Sequence, residues 1–229
     1  MTDTIDAPVA AEPFIGTRRL RKEDPELLTG ESRFTDDLVI HGALWLGIVR
    51  STAAHARLTR IDLAGALEQP GVVAAYTGAD LEAEWAGPMP CAWPVTDDMK
   101  NPPHLPVAVH KACYVGDAVA VVVAETRSQA VDALDHVVVE YDELPVVVDL
   151  EDALSDRAVI HDDLGTNSSY TWELIPDADA VDRAFAEAAH TVTERYVQQR
   201  LLPSPMETRA VAVVPSPHGG DYVVYASTT

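Results

Sequence analysis

The sequence predicts an α+β chain, and two observations carry that reading. Val119–Ala124 (VAVVVA) is an unbroken apolar run of strand length, rich in β-branched residues, which suits a strand buried on both faces. Beyond Asp149 the pattern changes to one helix followed by short strands with a hairpin turn between the last two, which suits an antiparallel group.

Around the buried run, Tyr114–Asp117 supplies a turn in which Gly116 is free to take positive φ. Thr126 and Gln129 have capping-box spacing and open a helix. Its expected apolar stripe is Ala130, Leu134 and Val137, with Val131 and Ala133 beside it. Val137–Asp142 returns to strand character, completing a compact strand–helix–strand unit that holds no nucleophile–base pair and no ligand cluster.

Upstream, residues 1–16 are small, acidic and Pro-containing, and read as a flexible arm. Arg18, Arg19, Arg21 and Lys22 form a basic cluster. Ordinary surface charge paired with Glu23, Asp24 and Glu26 is the favoured reading, against a docking patch for an acidic partner. Phe34–Ile40 reads as an irregular strand or extended loop, Ala43–Arg50 and Val72–Tyr76 as strands. Asp62 is placed as the cap of a helix over Leu63–Glu68, and Asp80 as the cap of one further turn. Trp85–Pro106 holds six prolines and two tryptophans without a period, and reads as a long ordered loop. Leu150–Leu154 is expected as a short helix, and Asp179 as the cap of another carrying Val181, Phe185, Ala188 and Ala189 on one side. Thr191–Gln199, Thr208–Val214 and Asp221–Ala226 are the expected late strands. An exposed Tyr222–Ala226 edge would make the chain aggregation-prone or dependent on a partner.

Sixteen basic residues against 37 acidic ones give a formal net charge of −21, a field that repels nucleic acid and anionic membrane surfaces. Cys91 and Cys113 build no disulfide framework and belong to no metal-ligand spacing, so a reduced, cytoplasmic setting is expected, with Cys113 a small core residue. His55 stands alone and reads as a hydrogen-bonded structural residue. His104 and His110, six apart, have neither helical nor strand ligand spacing. Trp85 and Trp93 are expected to pack the long loop onto its own domain, with a substrate or partner path as the alternative. No apolar run reaches membrane-spanning length.

Five motifs then occur in one order: Arg21–Gly30 (RKEDPELLTG), Val49–Leu58 (VRSTAAHARL), Pro70–Leu81 (PGVVAAYTGADL), Tyr114–Ala124 (YVGDAVAVVVA) and Tyr141–Asp149 (YDELPVVVD). Together they resemble the N-terminal part of the molybdopterin-binding large subunit of the xanthine dehydrogenase, aldehyde oxidase and carbon monoxide dehydrogenase family. Its a/b hammerhead domain would cover roughly residues 26–146. Arg200–Ala210 (RLLPSPMETRA) is similar to that family's entry into the molybdopterin-binding domain. The resemblance implies a hammerhead domain over 17–149, a linker over 150–169 and the incomplete start of a molybdopterin-binding domain over 170–229.

The resemblance also implies what the chain lacks. The family's cofactor-contacting loops and its glutamate base lie beyond Thr229, and Ser227-Thr228-Thr229 stands where the family reads Ser-Thr-Gln. No catalytic residue and no metal ligand is therefore assigned, and the cofactor-binding residues are left open. Glu207 is assigned a structural contact at the domain entrance, and Trp85–Leu105 resembles the segment beside the substrate channel. The expected function is a molybdenum hydroxylase segment acting on an aldehyde, an N-heterocycle or a CO-like substrate. It is inactive alone, binds no molybdopterin by itself and is completed by a partner chain with iron–sulfur and FAD subunits. The alternative is a non-catalytic remnant or interaction module that keeps the hammerhead fold.

Overall fold

The computed structural model describes residues 15–90, 93–174, 177–217 and 219–228. Most of the expected N-terminal arm, Cys91, His218 of the hairpin turn and Thr229 lie outside the described residues. The chain forms two units, Gly42–Glu194 and Met1–His41 together with Arg195–Thr229.

The larger unit is built on two antiparallel three-stranded sheets. β1 (Trp45–Arg50), β3 (Val72–Thr77) and β5 (Ala118–Ala124) form one, in the order β1-β5-β3. β2 (Ala56–Asp62), β4 (Lys111–Ala112) and β6 (Val138–Glu143) form the other, in the order β4-β2-β6. The apolar run of β5 is central: Val119–Val122 and Ala124 are buried, and both its edges are hydrogen-bonded. That double pairing decides where the next strand goes. β6 follows β5 through helix α4 (Arg127–Leu134), yet it joins the other sheet, because β5 has no free edge to offer.

Helix α4 packs on one face of the first sheet. Ala133 is buried with Val122 and Ala66, and Val72, Ala75, Leu134 and Val137 close around them. The expected stripe of Ala130, Leu134 and Val137 packs inward; of the two residues placed beside it, Ala133 is buried and Val131 is exposed. A Cβ on Gly47 would lie 2.9 Å from the Ala130 carbonyl oxygen, so the absence of a side chain there lets the helix approach β1. Gly71, at φ +78°, is closed in by the Gln129 side chain. That side chain reaches the Thr126 hydroxyl (2.9 Å) while the same hydroxyl accepts from Gln129 N (3.3 Å).

Short helices follow the same logic. α2 (Ala64–Leu67) is opened by Asp62, whose Oδ1 accepts from Ala64 N at 3.0 Å. α3 (Gly78–Leu81) is capped by Thr77, and Asp80, expected as the cap, instead completes the capping box from inside the helix. α5 (Leu150–Leu154) forms where expected, on an Asp149 cap. α6 (Ala178–Glu187) starts two residues earlier than predicted, capped by Asp177 rather than Asp179, and Phe185 on it is exposed. The described residues of 85–106 form no helix or strand, and Met89 makes a bridge with His104.

In the smaller unit, α1 (Asp24–Thr29) precedes a 3-10 turn over Thr35–Asp37, where an irregular strand or loop was expected. β7 (Val211–Pro215) and β8 (Tyr222–Ala226) make the predicted hairpin. Thr191–Gln199, predicted as a third late strand, is irregular and exposed. Its alternation is strand-like, but a strand persists only beside a partner strand, and no strand among the described residues pairs with it. No helix among the described residues is long and apolar enough to cross a membrane.

Candidate functional site

In the larger unit, the turn Tyr114–Asp117 is clasped against the end of β1. Ser51 N donates to the Asp117 carbonyl (2.7 Å) and Gly116 N to the Ser51 carbonyl (2.8 Å). Gly116 takes φ 94°, as the sequence requires. Asp117 is buried, and its carboxylate accepts from Cys113 N at 3.0 Å.

This clasp floors a cleft of about 260 Å³ whose lining includes His104, His110, Lys111, Cys113, Tyr114 and His161. The long loop supplies one wall. Met89 N donates to the His104 carbonyl (2.8 Å), and the His104 ring stacks on Tyr114 with centroids 6.3 Å apart. The other wall comes from the connection after α5. Lys111 Nζ donates to the Ile160 carbonyl and pairs with Asp162 at 3.1 Å, while Asn167 Nδ2 donates to the Ala158 carbonyl at 2.7 Å.

Burial and nearby charges set the titration of the cleft's groups. Burial, with a smaller contribution from Asp117, pushes the Cys113 thiol up, away from the reactive thiolate, although Lys111 opposes it. Burial and then the Lys111 cation push the His161 imidazole down. Tyr114 is also pushed up, by burial first and then by Asp117.

The residues singled out in the sequence fall as follows. His55 is 4% exposed, with Nδ1 2.7 Å from the Pro145 carbonyl and Nε2 buried without a hydrogen-bond partner among the described residues. His104 and His110 do meet in one cleft, although their spacing gave no reason to expect it. Cys113 is half-buried rather than a full core residue. Trp93 is 90% exposed, so it does not pack the loop onto its own domain. Arg18–Lys22 are exposed, and the Arg21 amide donates to Asp24 Oδ2 at 3.2 Å. Lys111, His161 and Asp162 were not foreseen, because residues fifty apart carry no local signal of their meeting.

In the smaller unit Glu207 Oε1 accepts from both Thr35 N (3.0 Å) and Thr35 Oγ1 (3.1 Å), the structural contact expected of it. Beside Thr35 an open concavity of about 820 Å³ is lined by Gly30–Arg33 and Asp37–Val39.

The fit of molybdopterin, an anionic phosphate-bearing group, can be tested on the helix N-termini, the usual phosphate cradles. Asp62, Thr77, Thr126, Asp149 and Asp177 side chains each take one or two of the first amides of α2 to α6, and α1 begins with Asp24 and Glu26. Among the described residues no group of three His, Cys, Asp or Glu side chains is placed to hold a metal ion.

Comparison with known proteins gives these observations a context. Residues 29–145 match the family described as aldehyde oxidase and xanthine dehydrogenase, a/b hammerhead domain, and residues 160–229 match the molybdopterin cofactor-binding domain. The chain is 37% identical over 213 residues to the 6-hydroxypseudooxynicotine dehydrogenase complex subunit gamma of Paenarthrobacter nicotinovorans, covering 90% of this chain and 26% of that protein. It is 34% identical over 224 residues to the carbon monoxide dehydrogenase large chain of Hydrogenophaga pseudoflava, covering 92% and 27%. Quinoline 2-oxidoreductase from Pseudomonas putida 86 superposes with a TM-score of 0.79 at 35% identity, over 93% of this chain and 27% of that one. The chain thus spans about a quarter of the length of the relatives it matches, two of which are a dehydrogenase complex subunit gamma and a large chain.

Proposed function

The chain belongs to the aldehyde oxidase and xanthine dehydrogenase family, and we propose that it is the N-terminal segment of a molybdenum hydroxylase large subunit whose molybdenum site is completed outside these residues. The observation that carries the reading is the match of both family domains in order over a chain spanning a quarter of its relatives. In this reading residues 17–149 are the hammerhead domain, 150–169 the linker and 170–229 the start of the molybdopterin-binding domain. The completed enzyme oxidises an aldehyde, an N-heterocycle or a CO-like molecule in the cytoplasm, and passes electrons to iron–sulfur and FAD subunits. The exposed Trp93 on the long loop is this chain's contribution to the substrate path.

Size-exclusion chromatography after co-expression with the polypeptide carrying the rest of the molybdopterin-binding domain tests the proposal. Co-elution of the two at fixed stoichiometry is expected. Separate elution of two folded chains overturns it.

A further inference from the structure

Residues 156–169, which follow α5, are folded on themselves around Asn167. Its Oδ1 accepts from Ile160 N (3.0 Å), its Nδ2 donates to the Ala153 and Ala158 carbonyls (3.2 and 2.7 Å), and its amide donates to Asp156 Oδ1 (2.8 Å). Two attachments hold this strap down. Lys111 Nζ on β4 reaches the Ile160 carbonyl and the Asp162 carboxylate. Lys100 of the long loop donates its amide to the Ser169 carbonyl (2.9 Å), and Ser169 Oγ donates to the Lys100 carbonyl (2.6 Å). His161 sits inside the Lys111 clasp, between Ile160 and Asp162, and its ring makes no hydrogen bond among the described residues. The charges around it are uneven. Lys111 acts on it from β4, as does His55 from just before β2, and Arg57 of β2 acts on its neighbour Asp162. Asp162 and Asp163 on the strap itself oppose them, and Asp162 is already paired with Lys111. Of the other titratable groups in the cleft, the Asp117 carboxylate accepts from Cys113 N and the His104 ring stacks on Tyr114, while Glu82 and His110 complete the lining.

We propose that residues 156–169 are a proton-sensitive strap: protonation of His161 sets a second cation beside Lys111, loosens the clasp on Ile160 and Asp162, and frees the strap together with the Lys100 end of the long loop. Like charges this close in a half-buried site repel more strongly than they would in water. Burial first, and then Lys111, hold the docked ring below the ordinary 6.5, so the released strap takes the proton more readily. Docking is therefore at full strength above about pH 6.5 and weakens as pH falls toward the docked value, by up to about tenfold per pH unit for one proton. Asp162 is not the sensor, because its hydrogen bond to Lys111 holds its carboxyl below the usual range and it stays ionised in this window. The effect reaches the long loop because Lys100 and Ser169 are bonded in both directions. Release opens the cleft, since strap and loop supply its two walls.

The test is amide hydrogen exchange on the full chain, followed by NMR from about pH 7.5 to about pH 5.5 and corrected for the intrinsic pH dependence of exchange. The Lys100, Ile160 and Asn167 amides, each a donor in a bond named above, should lose protection together by several-fold, while Val121 and Val122 of β5 keep theirs. His161→Gln should abolish this response, and His110→Gln, at another imidazole of the cleft, should leave it intact. Because His161→Gln can itself loosen the strap, the parent chain supplies a second readout. Its loss of protection should begin near the ordinary 6.5 and level off at the midpoint of the His161 ring's own NMR titration. Protection that does not change with pH overturns the inference, as does a response that survives His161→Gln or disappears in His110→Gln. A loss outside the window of the His161 titration overturns it too. Equal loss at Val121 and Val122 would mark general unfolding and overturn the strap as a separate unit.

Discussion

Glu207 and Thr35 are joined by two hydrogen bonds to a single carboxylate oxygen, at 3.0 and 3.1 Å, although 172 residues separate them. The bond ties the segment before β7 to the turn after α1, within the smaller unit. It gives the glutamate of the PMETR motif a structural task, with no reacting group in its contacts.

Removing that oxygen should loosen the turn. A hydrogen bond to a charged group contributes about 1.5–3 kcal/mol, so Glu207→Ala should speed amide exchange at Thr35 by about tenfold or more. Glu207→Gln keeps an acceptor oxygen and should fall between the two. Unchanged exchange in Glu207→Ala would show that the contact does not hold the turn.

Gly47 should tolerate no side chain. Its Cβ would meet the Ala130 carbonyl oxygen at 2.9 Å and Leu134 Cδ2 at 3.0 Å, forcing α4 away from β1. Gly47→Ala is expected to lower stability by about 1–3 kcal/mol, the usual cost of overpacking, measured by urea unfolding. Stability equal to the parent chain would contradict the close approach.

These two sites show what was legible in the sequence and what was not. The VAVVVA run, the Thr126 start of α4, the Leu150–Leu154 helix and the hairpin follow from local periodicity and capping chemistry, and they form as expected. Cap identity failed at Asp80 and Asp179 because a threonine or aspartate lay two or three residues earlier and reached the free amides first. The Thr191–Gln199 strand failed because strand pattern does not supply a neighbouring strand. The cleft was illegible for a further reason. Lys111 meets Ile160 and Asp162, and His104 meets Tyr114, only through the folding of connections that carry no periodicity.

His161 should titrate low. Burial and the nearby Lys111 both disfavour its cation, so its folded value lies below the ordinary 6.5. The unfolded chain then binds the proton more readily, and stability is lost as pH falls from about 6.5 toward the folded value. An NMR titration of the ring should give a midpoint below 6.5. Lys111→Met should raise it only partly, since burial is the larger cause. A midpoint at or above the ordinary value would contradict the packing of Ile160–Asp162 onto Lys111.

Cys113 should react slowly. Burial raises its thiol above the ordinary value, so less thiolate is present at mildly alkaline pH. Iodoacetamide alkylation of its peptide at about pH 8 should be slower than that of free cysteine and approach it on unfolding. A rate faster than free cysteine would mark an activated thiol and reopen the cleft as a reactive site.

The most direct measurement for the central claim is molybdenum content per chain, determined on the protein purified alone and after co-expression with the polypeptide that carries the rest of the molybdopterin-binding domain. The account predicts none in the isolated chain and near-stoichiometric metal in the co-purified complex. Molybdenum bound by the isolated chain would contradict the placement of the site outside these residues. A complex without molybdenum would contradict the catalytic assignment and leave the chain as a non-catalytic interaction module.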